Sequence, residues 1–141
     1  MAYDYGFFAD LNVLFVNCAG DYSPQEGIET IATAMAEPDF DPGFDLLVDL
    51  TEATHTDAGY TGIKSIVDQL QPNLQKLQRK QCIIVAPNDL TYGMARMYEQ
   101  IADGRLPYPV HVVSSEAEAF DALGLARRPL ADLRAKSAEH A

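Results

Sequence analysis

Basic residues are missing from the whole front of this chain. No Lys or Arg precedes Lys64, although twelve Asp and Glu do, and the 141 residues carry a formal net charge of −11. A nucleic-acid partner would need a basic face to neutralise phosphates, so that class of function is excluded as an expectation. An anionic membrane surface asks for the same cations and is excluded with it. The acid excess reads as solubility, with a basic partner or a saline habitat as its other uses. Cysteine is scarce as well. Cys18 and Cys82 both fall inside apolar, strand-like runs, which suits buried thiols in a reducing compartment and makes a cytoplasmic location the expectation. No window is long and apolar enough for a membrane span, so no membrane insertion is expected. The opening "MAYDYGFFADLNVLFVNCAG" has no basic n-region and carries Asp4 and Asp10, so it does not read as a signal peptide. Internal repeats, low-complexity tracts and linkers are absent too. The length fits one domain that buries roughly 68–70% of the surface exposed by its unfolded chain.

What is present is an alternation. Residues 3–8 (YDYGFF) and 13–19 (VLFVNCA) are β-rich, and the short segment between them fits a hairpin turn. "SPQE" at 23–26 then supplies an N-cap in Ser23, a Pro at the first helical position and a Glu placed to close a capping box. Ile28, Ile31 and Met35 follow at helical spacing, and Glu37-Pro38 ends the run. "FDLLVDL" at 44–50 is apolar in its middle, as a strand covered on both faces should be. A polar loop leads to a helix bearing Ile63, Ile66, Val67 and Leu70. Pro72 is expected to interrupt it, Leu74 and Leu77 suggest a further turn, and Arg79 and Lys80 mark the end. "QCIIVA" (81–86) and "VHVVS" (110–114) are the fourth and fifth strands. Ser115 with Glu118 and the stop at Gly124 bracket a last helix. The expected class is α/β, ordered β-β-α-β-α-β-α-β-α, with a five-stranded mixed sheet packed by helices and right-handed crossovers between its parallel strands. Residues 1–124 form the expected single domain. Residues 125–141 form a basic tail, helical or frayed, in which Arg127, Arg128, Arg134 and Lys136 could lie over the acidic body.

Several segments invite a chemical reading and mostly decline it. Asp39, Asp41 and Asp45 resemble a calcium loop, but Phe44 and Leu50 occupy the positions that need Gly and Glu. Pro42-Gly43 instead asks for a type II turn pinned by Phe40 and Phe44. "GYTGIK" lacks phosphate-loop spacing. His55-Thr56-Asp57, with Asp49 and Glu52 nearby, could hold a metal or an acid–base pair, although a solvated loop accounts for it more simply. Cys82 and His111 begin neighbouring strands and would form a dyad if their side chains met, away from the usual crevice. At "APND", Asn88 reads as a helix cap and Asp89 as a first-turn acid, a complete structural account that also disfavours a phosphate guest there. Leu90, Met94, Met97 and Ile101 form the expected buried stripe of that helix. Gly93 suggests close approach to the sheet, and Tyr92, Arg96 and Glu99 are left outside.

The strand order, "AEPDFDPGFDLLVDLTEAT" and "IIVAPNDLTYGMARMYE" together resemble the bacterial SpoIIAA-like proteins. Their fold is shared with STAS domains, the anti-sigma-factor antagonists, and is grouped with the lipid-binding CRAL-TRIO domains. In STAS antagonists a partner kinase phosphorylates a Ser in an Asp-Ser-Ser-Gly type loop after the third strand. Here "TDAGYTG" matches the motif's Asp with Asp57 but puts Ala58 at the phosphoacceptor position, followed by Gly59. The phosphoserine switch therefore does not carry over, and Thr56 and Thr61 are only its neighbours. The resemblance implies a non-enzymatic interaction or regulatory module without cofactor or metal. Its contact surface would be Thr56, Asp57, Ala58, Gly59, Tyr60 and Thr61, and its partner another protein or a second copy in a homodimer. The alternative is a carrier for a small apolar ligand or lipid, lined by Phe40, Phe44, Tyr92 and Tyr98, with Phe7 and Tyr60 as further candidates.

Overall fold

Strands and helices alternate as the sequence pattern requires. In the computed structural model, which describes residues 2–56, 59–74 and 81–140, the elements are β1 (Tyr3–Phe8), β2 (Val13–Asp21), α1 (Pro24–Met35), β3 (Asp45–His55), α2 (Tyr60–Leu74), β4 (Cys82–Val85), α3 (Asp89–Ala102), β5 (Val110–Val113), α4 (Glu116–Leu123) and α5 (Leu130–His140). The sheet is five-stranded and mixed, in the order β1-β2-β3-β4-β5. β1 is antiparallel to β2, and every later pair is parallel. Each crossover steps one strand in the same direction, so right-handed connections place α1, α2 and α3 on one face. The chain then passes to the other face, where α4 and α5 pack.

Side-chain alternation along β2 divides the core accordingly. Leu14, Val16 and Cys18 join the cluster beneath α1–α3, while Val13 and Phe15 join the cluster with Phe120, Leu130 and Leu133. Three helix starts follow their sequence signals: Ser23 accepts from Glu26 N, Asn88 from Thr91 N at 2.9 Å and Ser115 from Glu118 N. Gly124 closes α4 at φ 72°, a left-handed conformation that suits glycine.

The tail is part of this architecture. Leu130 and Leu133 are fully buried against the second face, and Ser137 lies so close to β1 that a Cβ at Gly6 would stand 2.9 Å from its Oγ. Arg134 Nη1 reaches Asp49 Oδ2 at 2.5 Å. Asp49 is completely buried and also accepts from Thr51 N at 2.9 Å and Thr51 Oγ1 at 2.5 Å. The Glu116 carboxylate accepts from Leu130 N at 3.1 Å, placing a negative charge at the start of α5. Opposite Asp49, Asn17 donates to Glu52 at 3.2 Å, while its Oδ1 is buried without a partner among the described residues. Nothing in the structure explains that orphan.

Several local expectations differ from the fold. β3 runs on to His55, because its extension still pairs with β2 through Asp21. α2 continues past Pro72 to Leu74; Leu77, Arg79 and Lys80 lie outside the described residues. Gly43 has no positive φ, so the turn is not type II: Asp41 Oδ1 accepts from Gly43 N at 2.8 Å and holds the bend through its side chain. In α3 the buried positions are Thr91, Ala95, Ile101 and Ala102, whereas Leu90 is 59% exposed. The helix buries its small residues, and of the expected apolar stripe Ile101 is buried, Met94 and Met97 are half-buried against the core, and Leu90 alone is turned out. A Cβ at Gly93 would meet nothing within 4 Å, so close approach to the sheet is not the reason for that glycine.

Candidate functional site

A strand order without reversal has no topological switch point, the place where open α/β sheets usually open a crevice at their strand ends. The opening in this molecule lies elsewhere, between the sheet and the three crossover helices. α1 causes it. Its stripe of Ile28, Ile31 and Met35 is only half-buried, and Ala34 is its one fully buried residue. The helix stands off from the sheet, and Val48, in the middle of the central strand, keeps accessible surface. The resulting crevice has a volume of about 140 Å³. Val16, Val48 and Ile84 form its floor, Ile31 and Ile66 its sides, and Met94 the α3 wall. Among the described residues no charged side chain lines it.

Its polar side chains include the phenols of Tyr3 and Tyr22 and the thiol of Cys82. Tyr3 donates to Ser23 O at 3.3 Å, and burial, followed by the neighbouring Cys18, pushes its hydroxyl well above the usual tyrosine range. Burial likewise pushes the adjacent Cys18 thiol up to about 12. Tyr22, at the end of β2, is also pushed up to about 12, by burial first and by Cys18 second. The phenols and the Cys18 thiol are therefore neutral at ordinary pH. Cys82 cannot form a dyad with His111. The register puts Cys82 beside Val110 and Ile83 beside His111, so the two side chains point to opposite faces. Among the described residues no group of three His, Cys, Asp or Glu is placed to hold a metal ion.

The residues singled out in the sequence are dispersed. Tyr98 lines the crevice. Phe40 and Phe44 stack edge to face at 6.3 Å, with Phe7 at 6.2 Å from Phe44, in a cluster before β3 that does not reach the crevice. Tyr92 is 38% exposed on α3. Asn88 and Asp89 begin α3, with the Asn88 side chain occupied as the cap. Thr56 is half-buried at the end of β3, Gly59, Tyr60 and Thr61 are exposed at the start of α2, and Asp57 and Ala58 lie outside the described residues. Ile63, Ile66 and Val67 are buried within the chain, so none of these three is left over for a partner, while the Leu70 side chain lies outside what the structure describes. Tyr60 and Leu90, both more than half exposed, mark with Tyr92 the rim where α2 and α3 start. Sequence spacing identifies Ile28 and Ile31 as inward-facing but carries no sign of the gap beneath them, since the gap depends on how far α1 stands from the sheet.

The sequence matches no protein-family model and no curated protein. Among solved structures, the chain is similar to an uncharacterized protein of the DUF3478 family from Shewanella loihica PV-4, described as having a SpoIIAA-like fold. The TM-score is 0.52 at 17% identity, over 86% of this chain and 92% of that one. No helix of the described residues is long and apolar enough to cross a membrane. The mixed five-stranded sheet of this chain, together with a structural match that spans most of both chains, gives this protein a SpoIIAA-like fold.

Proposed function

We propose that this chain is a non-catalytic binding module that holds a small apolar molecule in the crevice beneath α1, α2 and α3. One observation carries the reading: a dry-walled space of about 140 Å³ that ends on Val48 in the centre of the sheet, where a fully packed core would leave none. Enclosed apolar cavities of this volume accept ring-sized guests, and this crevice offers the same volume with an opening to solvent. Toluene is a suitable probe. A dissociation constant of about 1 mM corresponds to about 4.1 kcal/mol of binding. At about five times that concentration the folded state gains about 1.1 kcal/mol, which raises Tm by about 2–4 °C for a domain of this size. Ala95→Phe, which fills the crevice from the α3 side, should abolish the shift. An unchanged Tm for the wild type in saturating toluene would contradict the reading.

A second reading, a protein-interaction or regulatory module, is favoured by the exposed Tyr60, Leu90 and Tyr92. They stand at the starts of α2 and α3, and tyrosine is a common interface anchor. Self-association through that rim predicts a dimer in sedimentation velocity that Tyr60→Asp converts to monomer. Identical monomeric profiles for both proteins would remove self-association and leave a different protein as the partner to be sought.

A further inference from the structure

We infer that the crevice selects a neutral molecule of about one ring, bearing a single hydrogen-bonding group that meets the Tyr22 hydroxyl, and discriminates against anionic lipids such as fatty acids. This rests on the binding reading above and specifies its ligand class. Size is the first argument. The volume of about 140 Å³ is close to that of apolar cavities that accept benzene, roughly 150 Å³, and falls below the roughly 300 Å³ at which pockets for larger ligands begin.

Charge is the second argument. Among the described residues no Lys, Arg or His lines the crevice, and the whole chain ahead of Lys64 has no Lys or Arg to offer. A carboxylate or phosphate guest drawn out of water would find no cation among the described lining residues to pair it.

The third argument is the polar inventory. Tyr3 is committed to Ser23 O. Tyr22 is half-buried, lines the crevice, and its hydroxyl has no hydrogen-bond partner among the described side chains. A phenol, alcohol or carbonyl on the guest would supply that partner, with the ring of the guest against Val48 and Ile84. Held neutral, the Tyr22 hydroxyl can either donate or accept.

The test compares toluene, p-cresol and 4-methylbenzoate at pH 7 by NMR titration of the full chain. p-Cresol should bind about 3- to 10-fold more tightly than toluene, the range expected for one added hydrogen bond. 4-Methylbenzoate should bind at least about 10-fold more weakly than toluene, because its charge goes unpaired. On Tyr22→Phe, p-cresol should fall to the affinity that toluene shows for the same variant. If toluene binds and 4-methylbenzoate binds as well or better, the neutral-guest inference is overturned while the binding reading stands. If the p-cresol advantage is missing, or persists in Tyr22→Phe, the role of Tyr22 is overturned. If none of the three binds, the binding reading itself is wrong.

Discussion

A chain ending at Gly124 should lose its cooperative unfolding transition and expose apolar surface. Removing residues 125–141 deletes Leu130 and Leu133, which are fully buried, and uncovers Phe8, Val13 and Phe15 on the second face of the sheet. Burying one Leu side chain is worth about 1.5–3 kcal/mol, and the partners left in water lose a comparable amount. Most domains have only about 5–15 kcal/mol of net stability to lose. Far-UV circular dichroism through a thermal ramp and dye binding to exposed apolar surface would check this. A truncated chain melting sharply within a few degrees of the full one would show α5 to be dispensable.

Arg134→Ala should lower stability by about 3–5 kcal/mol, the range for leaving one member of a buried ion pair alone. Asp49 has no exposed surface, and Arg134 is its cationic partner at 2.5 Å. The two Thr51 hydrogen bonds would remain but bring no positive charge. The double variant Asp49→Asn with Arg134→Met should recover most of the loss, because it removes the buried charge along with its partner. Urea unfolding of the three proteins gives the comparison. A loss below about 1 kcal/mol for Arg134→Ala would place the pair among solvent-screened surface bridges.

These two effects mark the boundary of what the sequence made legible. Local signals were readable because they act within a few residues. Ser23-Pro24, Asn88 and Ser115 each cap a helix three residues on, and the apolar middle of β3 reflects a strand covered on both faces. The mixed sheet followed from a short hairpin and three helix-length crossovers. Charge gave the tail a reason to lie over the acidic body, but nothing near Arg134 in sequence identified Asp49, 85 residues away, as its partner. Leu90 and Gly93 were misplaced because helical period fixes relative positions on a face and leaves its absolute rotation to packing. Cys82 and His111 failed to meet because pairing register, offset by one residue, decides which side chains share a face. The crevice was the least legible feature. Its walls come from four strands and three helices, and its emptiness depends on how loosely α1 lies over them.

The central claim, that an apolar guest occupies this crevice, is tested most directly by the isoleucine methyl resonances during a toluene titration. The sequence has seven isoleucines, of which Ile28, Ile31, Ile63, Ile66 and Ile84 line the crevice. Ile83 faces the opposite side of the sheet, and Ile101 is buried away from the crevice wall. The account predicts saturable shifts, with one common dissociation constant, for the five lining methyls and still signals for Ile83 and Ile101. Shifts spread evenly over all seven, or absent from Ile31, Ile66 and Ile84 at saturating toluene, would contradict it.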